Sequence, residues 1–403
     1  MRRSILLSLL LHSFLLLAQE GTLAKSTAVT KVHPNKSCKP EPPCGCWMRG
    51  DDPLVSVPLT PNAPAAYSYP ANINVSNGWD VHADVSYLYW YAKQEGFNLG
   101  SLGYYFESSA WFPAKLGEVF SQNGKYTSGF KVSLGGNLNV DDWMADLTYS
   151  YLRQNFVTRT GDATGAGPSG ETAVFNITSW YPITWYGGQS VATNITSKWK
   201  MNLDWLDLQL TRPCYQGRRL ILTPSAGLRA SWIRQQLHLE AADAFNTYIG
   251  EEQPITVTGA NYSNSWAIGP RGVMGASWLV WEGMRVQGGM GASLLFTQYT
   301  SISTRTTDIY VSTEAAYLGG THVRQRNYNC LRTMVEANLG IGWGRYFCQN
   351  CYHIDLSATY DFNYLWSQNM IQNQWNANAV YGNNGTPGDL ILHGLDIKVR
   401  FDF

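Results

Sequence analysis

The chain has 403 residues, of which 14% are charged, and its 29 basic and 29 acidic residues cancel to a formal net charge of zero. A neutral chain has no electrostatic basis for binding nucleic acid, so nucleic acid is not an expected partner. Aromatic residues make up 13% of the chain and glycine contributes 38 residues, a composition that excludes an intrinsically disordered protein.

The N-terminal segment has the pattern of a secretory signal peptide. Arg2 and Arg3 precede an apolar run over residues 4–17, and the small residues Ala18 and Ala24 follow. The run is shorter than the roughly 20 apolar residues that a membrane-spanning helix needs, which makes an uncleaved anchor the weaker alternative. We therefore expect residues 1–24 to be removed on export.

Residues 25–77 are rich in Pro, Ser, Asn and Cys without any period, and they predict an irregular periplasmic N-terminal arm. Cysteines of an exported chain meet an oxidising compartment, so disulfides are expected. The disulfide candidates are Cys38, Cys44, Cys46, Cys214, Cys348 and Cys351. Cys330 is expected to lie alone near the outer surface. Two alternatives stay open: linkage to other envelope proteins or to a second copy, and local pairing such as Cys348 with Cys351.

From residue 78 onward apolar and polar residues alternate with the period of two that is typical of β-strands. The alternating segments lie near residues 79–92, 130–134, 143–151, 198–205, 220–232, 266–278, 284–296, 331–343, 353–366 and 395–403.

The connections between these segments are alternately short and long. Short ones lie near residues 139–142, 211–218, 280–283 and 344–351, and long polar ones near 93–127, 154–196, 236–264, 299–329 and 367–388. This layout predicts an all-β fold over residues 78–403, a transmembrane antiparallel barrel of about ten strands. Strands hidden in the long loops would raise the number to 12 or more. Short turns are expected in the periplasm and long loops outside the cell.

A soluble β-sandwich also alternates, but two features argue against it. The segments run to roughly 12–15 residues, whereas soluble strands favour about 5–6. Aromatic residues also stand at both ends of the segments, as membrane interfaces select. The predicted location is the bacterial outer membrane, with its lipid bilayer and the barrel-assembly machinery as partners. Because lipid tolerates no unpaired edge, Phe401 and Phe403 are expected to close the barrel and to be needed for assembly.

The predicted inner face carries charged residues of both signs. Charge rings can filter solutes in a pore, whereas paired charges can fill a narrow lumen, and ten strands favour filling. In segment 198–205 the apolar side with Trp199, Met201, Leu203 and Trp205 is predicted to face lipid. The residues predicted to line the pore are Asp80, Asp84, Asp146, Asp204, Arg229, Arg271, Arg285, Arg332, Glu336, Asp355, Asp361, Asp396, Lys398 and Arg400.

Several stretches resemble the major outer membrane protein family of legionellae, which also has members in chlamydia-like bacteria. They include "KYTSGFKVSLGG", "WMADLTYSYL", "PSAGLRASWIRQ" and "IGPRGVMG", in family order from about Trp79 to Phe403. The resemblance implies a pore-forming outer membrane protein. The cysteine-containing arm lies outside the resembling region.

The predicted function is porin-like passive diffusion of small hydrophilic solutes. The alternative is a structural or adhesive envelope protein with a filled barrel, disulfide-linked to other envelope proteins. An enzyme is not expected, because His238, with Glu240 near it, and His322 stand in no catalytic motif. No cofactor or metal is expected.

Overall fold

A computed structural model describes residues 70–403, apart from residues 77–79, 107–109, 114–116, 139, 164–171, 178–179, 181–189, 218, 247–254, 308–309, 312–315, 318–321 and 372–386. The predicted signal peptide and most of the predicted arm lie outside these residues. Among the described residues, no helix has both the length and the apolar character needed to cross a membrane.

The described part of the chain is almost entirely β-strand. Its strands are β1 (Val81–Gln94), β2 (Asn98–Phe106), β3 (Ala110–Pro113), β4 (Val119–Ser121), β5 (Lys125–Asn137), β6 (Met144–Arg159), β7 (Thr172–Asn176), β8 (Ser190–Ala192), β9 (Asn194–Thr211), β10 (Cys214–Gln216), β11 (Leu220–Asn246), β12 (Ile255–Trp281), β13 (Met284–Thr307), β14 (Tyr310–Val311), β15 (Ala316–Tyr317), β16 (His322–Gln325), β17 (Tyr328–Phe347), β18 (Tyr352–Asn369) and β19 (Gly388–Asp402).

Ten of the described strands close into an antiparallel barrel, which confirms the predicted fold and makes the alternative of 12 or more barrel strands wrong. The ring order is β1, β5, β6, β9, β11, β12, β13, β17, β18 and β19. The last strand pairs with β18 on one side and with β1 on the other. Phe403 extends this seam, because its N–H donates to the Val81 carbonyl at 3.0 Å and its own carbonyl accepts from the Val81 N–H at 3.2 Å.

The two ends of the barrel differ in their connections. At one end, here the turn end, β12 joins β13 across residues 282–283 and β17 joins β18 across residues 348–351. At the other, here the loop end, the chain makes its long excursions. Strands β11 and β12 have 27 residues each, whereas a tilted spanning strand needs about 9–11. The predicted loops 236–264 and 299–329 are therefore partly strand, because backbone pairing continues beyond the apolar outer belt.

In the turn half of the barrel the outer face is apolar and the inner face is polar. Strand β9 shows the pattern: Leu208 and Leu210 are 39% and 46% exposed on the outside, while Asp207, which precedes Leu208, is buried inside. Exposed apolar side chains form an outer belt around the other strands, with Val85, Leu228, Met274, Met290, Leu339, Ile341, Leu356 and Ile397 among its members. This is the surface that a bilayer requires.

In the loop half the polarity is reversed. Trp199, Met201 and Leu203 of β9 point inward with no exposed surface, while Lys198 and Lys200 lie on the outer face. The prediction that the apolar side of segment 198–205 faces lipid is therefore wrong. The strand continues past the membrane belt, where its outer face meets water and its inner face meets a packed core.

An insert fills the loop half from inside. We use this name for β2, β3, β4, β7 and β8, which pair with one another and reach the barrel wall where β8 pairs with β11. The insert and the wall share one apolar cluster, in which the rings of Phe97 and Trp199 lie 5.8 Å apart edge to face. Trp180 donates its Nε1–H to the Leu99 carbonyl at 2.7 Å, which satisfies the buried indole.

A short segment of the predicted arm lies across the turn end. This strap, residues 70–76, starts with a bridge to Cys214. The Asn72 side chain then donates to a carbonyl of the β5–β6 turn at 2.9 Å, and the N–H of Ser76 donates to the Asn350 carbonyl at 2.7 Å. Because these three turns lie on different sides of the ring, the strap crosses the mouth of the barrel.

Candidate functional site

A polar cavity of 320 Å³ lies in the turn half of the lumen. Every barrel strand except β9 contributes to its wall, and hydroxyl, amide and glycine positions outnumber large side chains. The lining residues are Asp84, Ser86, Lys131, Ser133, Thr148, Thr223, Gly275, Ala276, Ser277, Gln287, Gly288, Asn338, Ser357, Thr359, Asp361, Asp396 and Lys398. Small side chains at these positions leave room for a solute, whereas a purely filled lumen would carry larger ones.

A four-residue ion cluster stands beside the cavity. Arg229 holds Asp207 in a bidentate pair with N–O distances of 2.6 and 2.7 Å, and its Nη2 reaches Glu336 Oε2 at 3.1 Å. Arg271 binds the other oxygen of Glu336 at 2.6 Å. The cluster joins β9, β11, β12 and β17 across the lumen. All four side chains are largely buried, so the charges balance one another instead of facing water.

Gly291 of β13 leaves the space that the Glu336 side chain needs to contact Arg229 and Arg271. A Cβ at Gly291 would lie 2.7 Å from Glu336 Oε1, so any side chain there would displace the carboxylate. The cluster therefore acts as a post that fixes the barrel cross-section. For Arg229 and Arg271 this favours a shape-holding role over a selectivity role.

Replacing Arg229 with methionine is expected to destabilise the protein by about 3–5 kcal/mol, because Asp207 loses its bidentate partner while staying buried. Urea unfolding of the purified protein in lipid vesicles measures this. The matched control is Arg234→Met on the exposed outer face of the same strand. Equal unfolding midpoints for the two variants would show that the cluster does not stabilise the barrel.

A second ion group closes the top of the cavity. Lys131 Nζ lies 2.8 Å from Asp361 Oδ2 and 2.6 Å from Asp396 Oδ2. The same ammonium lies 4.8 Å from the centroid of the Trp90 ring, within the range of a cation–π contact.

Two tryptophans separate the polar half of the lumen from the apolar half. Trp205 covers the guanidinium of Arg229 at 4.8 Å, as Trp90 covers Lys131, and the two indole rings lie 6.0 Å apart. We call this pair the tryptophan ceiling. Above it begins the packed apolar core of the loop half.

Further ion pairs fill the turn end below the cavity. Arg285 binds Asp355 through two N–O contacts of 2.5 and 2.7 Å. Asp402 Oδ1 lies 2.6 Å from Arg400 Nη2, and Asp402 Oδ2 lies 2.9 Å from His353 Nδ1. On a neighbouring part of the wall, His82 Nε2 lies 2.9 Å from Asp146 Oδ1. Together with the strap, these pairs occupy the mouth at the turn end.

The structure places most of the predicted pore-lining residues on the inner face. They are Asp84, Asp146, Arg229, Arg271, Arg285, Arg332, Glu336, Asp355, Asp361, Asp396, Lys398 and Arg400. They do not form one ring, since Arg332 lies higher than the rest, beside Met370 and Tyr299.

Two predicted pore-lining positions are wrong. Asp204 lies on the outer face of β9, where Arg153 binds it at 2.9 Å and the Tyr149 hydroxyl donates to it at 2.7 Å. Its partner strand supplies the opposite charge on the outer face, so the carboxylate need not enter the lumen. Asp80 precedes β1 and accepts a hydrogen bond from the Val75 N–H at 3.3 Å, so it belongs to the rim and anchors the strap.

Asp207 and Lys131 form lumen ion pairs but were not among the predicted pore-lining residues. Asp207 lies on the same side of β9 as Trp199 and Trp205. Because that side was predicted to face lipid, Asp207 was not expected in the lumen. The sequence did contain a signal for the correct placement of Asp207. In the turn half, the lipid-facing residues of β9 are Leu206, Leu208 and Leu210, so Asp207 must lie on the inner face.

The four described cysteines are unpaired. Cys348 and Cys351 share the β17–β18 turn, in which the Cys351 N–H donates to the Cys348 carbonyl at 3.1 Å and both thiols are free. Cys348 and Cys351 are thus not joined to each other in this structure, and the other predicted cysteine pairings stay predictions. Cys330 lies in the loop half of β17, where it is half buried and packs against Tyr299, Ile302 and Met370. Cys38, Cys44 and Cys46 lie outside the described residues.

The two histidines considered for catalysis lie apart. His238 is on the outer face of β11, with its ring edge to face against Tyr262, and His322 is on β16. Among the described residues, no three His, Cys, Asp or Glu side chains are placed to hold a metal ion.

Some solved structures are similar in their β-topology, although the superpositions are poor. A major outer membrane protein from Thermus thermophilus is 9% identical with a TM-score of 0.25, and the match covers 80% of this chain and 99% of that one. The Pseudomonas putida toluene transporter TodX is 8% identical with a TM-score of 0.22, covering 84% and 95%. A Pseudomonas aeruginosa FadL homologue is 7% identical with a TM-score of 0.21, covering 80% and 89%. At these scores the likeness carries no argument about function.

No curated protein matches the chain. A family model does, over residues 72–403, and its description is Legionella pneumophila major outer membrane protein precursor. The match starts within the strap, seven residues before the resemblance that begins at Trp79, and leaves the three arm cysteines outside. The chain therefore belongs to the Legionella major outer membrane protein family.

Proposed function

We propose that this outer-membrane protein is a channel through which small hydrophilic solutes diffuse. The observation that supports the proposal is the polar cavity of 320 Å³ inside a wall whose outer face is apolar. A cavity with hydroxyl and amide groups on its wall favours solutes that exchange hydrogen bonds with water for hydrogen bonds with the wall.

The same geometry supports a channel that is closed at rest. The tryptophan ceiling and the apolar core stand between the cavity and the loop end, and the strap with its ion pairs stands between the cavity and the turn end. In the usual orientation of such barrels the short turns face the periplasm. Passage then requires the strap and the insert to shift, while the hydrogen-bonded wall stays intact.

Osmotic swelling of proteoliposomes tests the proposal. Liposomes carrying the folded protein are expected to swell faster in glycerol and arabinose than in sucrose and raffinose, because the cavity admits only small solutes. Protein-free liposomes and liposomes with heat-denatured protein are the controls. Swelling no faster than in these controls, with the protein shown to be folded by its heat-dependent gel mobility, would contradict the proposal.

A second candidate function is that of a cross-linked structural protein of the envelope. The observation that favours it is the position of Cys214, Cys348 and Cys351, which lie at the turn end without a disulfide partner among the described residues. A closed barrel is already held by its hydrogen-bond ladder, so these thiols are available for partners. The two functions are compatible.

Cross-linking is expected to appear as reducible bands of high mass when intact envelopes are run on non-reducing gels. The bands should survive Cys330→Ser, because that thiol lies at the loop end. They should disappear when Cys38, Cys44 and Cys46 or the three turn-end cysteines are replaced by serine. A single monomer band without reductant would rule out the cross-linking role.

A further inference from the structure

Two opposite charges on the cavity wall, Asp84 and Lys398, form no ion pair within 4.0 Å with a described residue. Lys131 is neutralised by Asp361 and Asp396. Lys398 lines the same cavity and takes part in no ion pair with a described residue within 4.0 Å. Asp84 is 9% exposed, and its Oδ1 has no hydrogen-bond partner among the described residues.

The strand register places these two residues side by side. In the β1–β19 pair, Asp84 stands opposite Arg400 and Lys398 stands opposite Ser86. Asp84 and Lys398 are thus diagonal neighbours on the inner face, a relation in which residues lie about 7–8 Å apart. Arg400 donates through Nε and Nη2 to Asp402 at 2.9 and 2.6 Å, and it forms no ion pair with Asp84 within 4.0 Å.

We infer that this pair of unpartnered charges is a subsite for small zwitterions, such as free α-amino acids. The solute ammonium would bind the Asp84 carboxylate and the solute carboxylate would bind the Lys398 ammonium. A zwitterion satisfies the buried Asp84 carboxylate and the half-buried Lys398 ammonium at once, without adding net charge to the lumen. The hydroxyls of Ser86 and Ser357 line the same part of the wall and can bind the remaining polar atoms. This inference names the solute class of the proposed channel and rests on that function only for its biological role.

Ligand binding to the purified wild-type protein tests the subsite without requiring passage. The probes are four molecules of equal size and shape: L-alanine (zwitterion), alaninamide (cation), lactate (anion) and lactamide (neutral). Saturation-transfer NMR on the folded protein in detergent measures the affinity of each probe. Excess L-alanine serves as the competitor against the other three. L-Alanine is expected to bind at least about tenfold more tightly than lactamide, since two charge-assisted contacts are lost in the neutral molecule. Equal binding of all four would overturn the inference.

Two nearly isosteric variants identify the residues. Asp84→Asn is expected to make lactate bind as well as L-alanine, and Lys398→Gln is expected to do the same for alaninamide. The surface controls Lys200→Gln and Glu240→Gln should leave all four affinities unchanged. L-Alanine binding that persists in both lumen variants would also overturn the inference. If a variant does not fold, the affinities of the four probes for the wild-type protein decide.

The outcomes separate the subsite from the channel. L-Alanine binding without faster swelling in L-alanine would keep the subsite and contradict the channel. Swelling at equal rates in L-alanine and lactamide, without preferential binding, would keep the channel and contradict the subsite.

Discussion

Replacing Met201 with lysine is expected to destabilise the barrel by at least about 3 kcal/mol. Met201 has no exposed surface and points into the apolar cluster shared by the wall and the insert. A lysine would place an ammonium in that cluster with no carboxylate to receive it, which costs several kcal/mol even when the lysine loses its proton.

The matched control introduces the same residue on the other face of the strand. Thr196 lies on the outer side of β9, beside Glu240 in the register of β11. Thr196→Lys is therefore expected to change the free energy of unfolding by less than about 0.5 kcal/mol. Urea unfolding in lipid vesicles, followed by tryptophan fluorescence, measures both variants. A Met201→Lys protein as stable as Thr196→Lys would contradict the reversed polarity of the loop half.

Replacing Ala358 with arginine is expected to cost about 2–4 kcal/mol, the penalty for a guanidinium near the bilayer midplane. Ala358 lies on the outer face of β18 between Ile341 and Ile397, which are 58% and 44% exposed on the belt. No charged residue of either neighbouring strand shares that face at this depth.

The neighbouring Thr359 supplies the control for Ala358. It points into the cavity beside Asp361, and its hydroxyl donates to that carboxylate at 3.0 Å. Thr359→Arg therefore adds a cation where acidic groups can bind it, and the variant should assemble and unfold like the wild type. Folding yields in vesicles and urea midpoints give the comparison. If both arginine variants unfold alike, the outer face of β18 has been assigned wrongly.

The turn half was predictable because lipid imposes one rule on it. Apolar residues must alternate with polar ones wherever the strand crosses the belt, and segments such as 353–366 and 395–403 follow this rule without a break. The ring order and the pairing of the last strand with the first followed from the absence of unpaired edges in lipid. The register of Asp84 with Arg400 was not predictable, because alternation does not fix how far one strand slides along another.

The loop half was not predictable by the same rule. Past the apolar belt, the inner face becomes the apolar one. Odd-numbered residues of β9 point inward along the whole strand, but they are polar in the turn half and mostly apolar in the loop half. Asp204 was assigned to the lumen and Asp207 was missed for this single reason. The insert and the strap depend on contacts between residues far apart in sequence, such as Phe97 with Trp199, and local patterns do not encode them.

Conduction through the lumen is the central claim, and the electrical conductance of single proteins in a planar lipid bilayer tests it most directly. The wild type is expected to show discrete openings between long closed periods, because the tryptophan ceiling must move before ions pass. Trp90→Ala removes part of that ceiling and should make the openings more frequent. Trp278→Ala, which removes an indole that is 60% exposed on the outer face, should not. If wild-type and Trp90→Ala proteins that are folded in the bilayer show no conductance steps at any voltage, the lumen is a filled core and the channel account is contradicted.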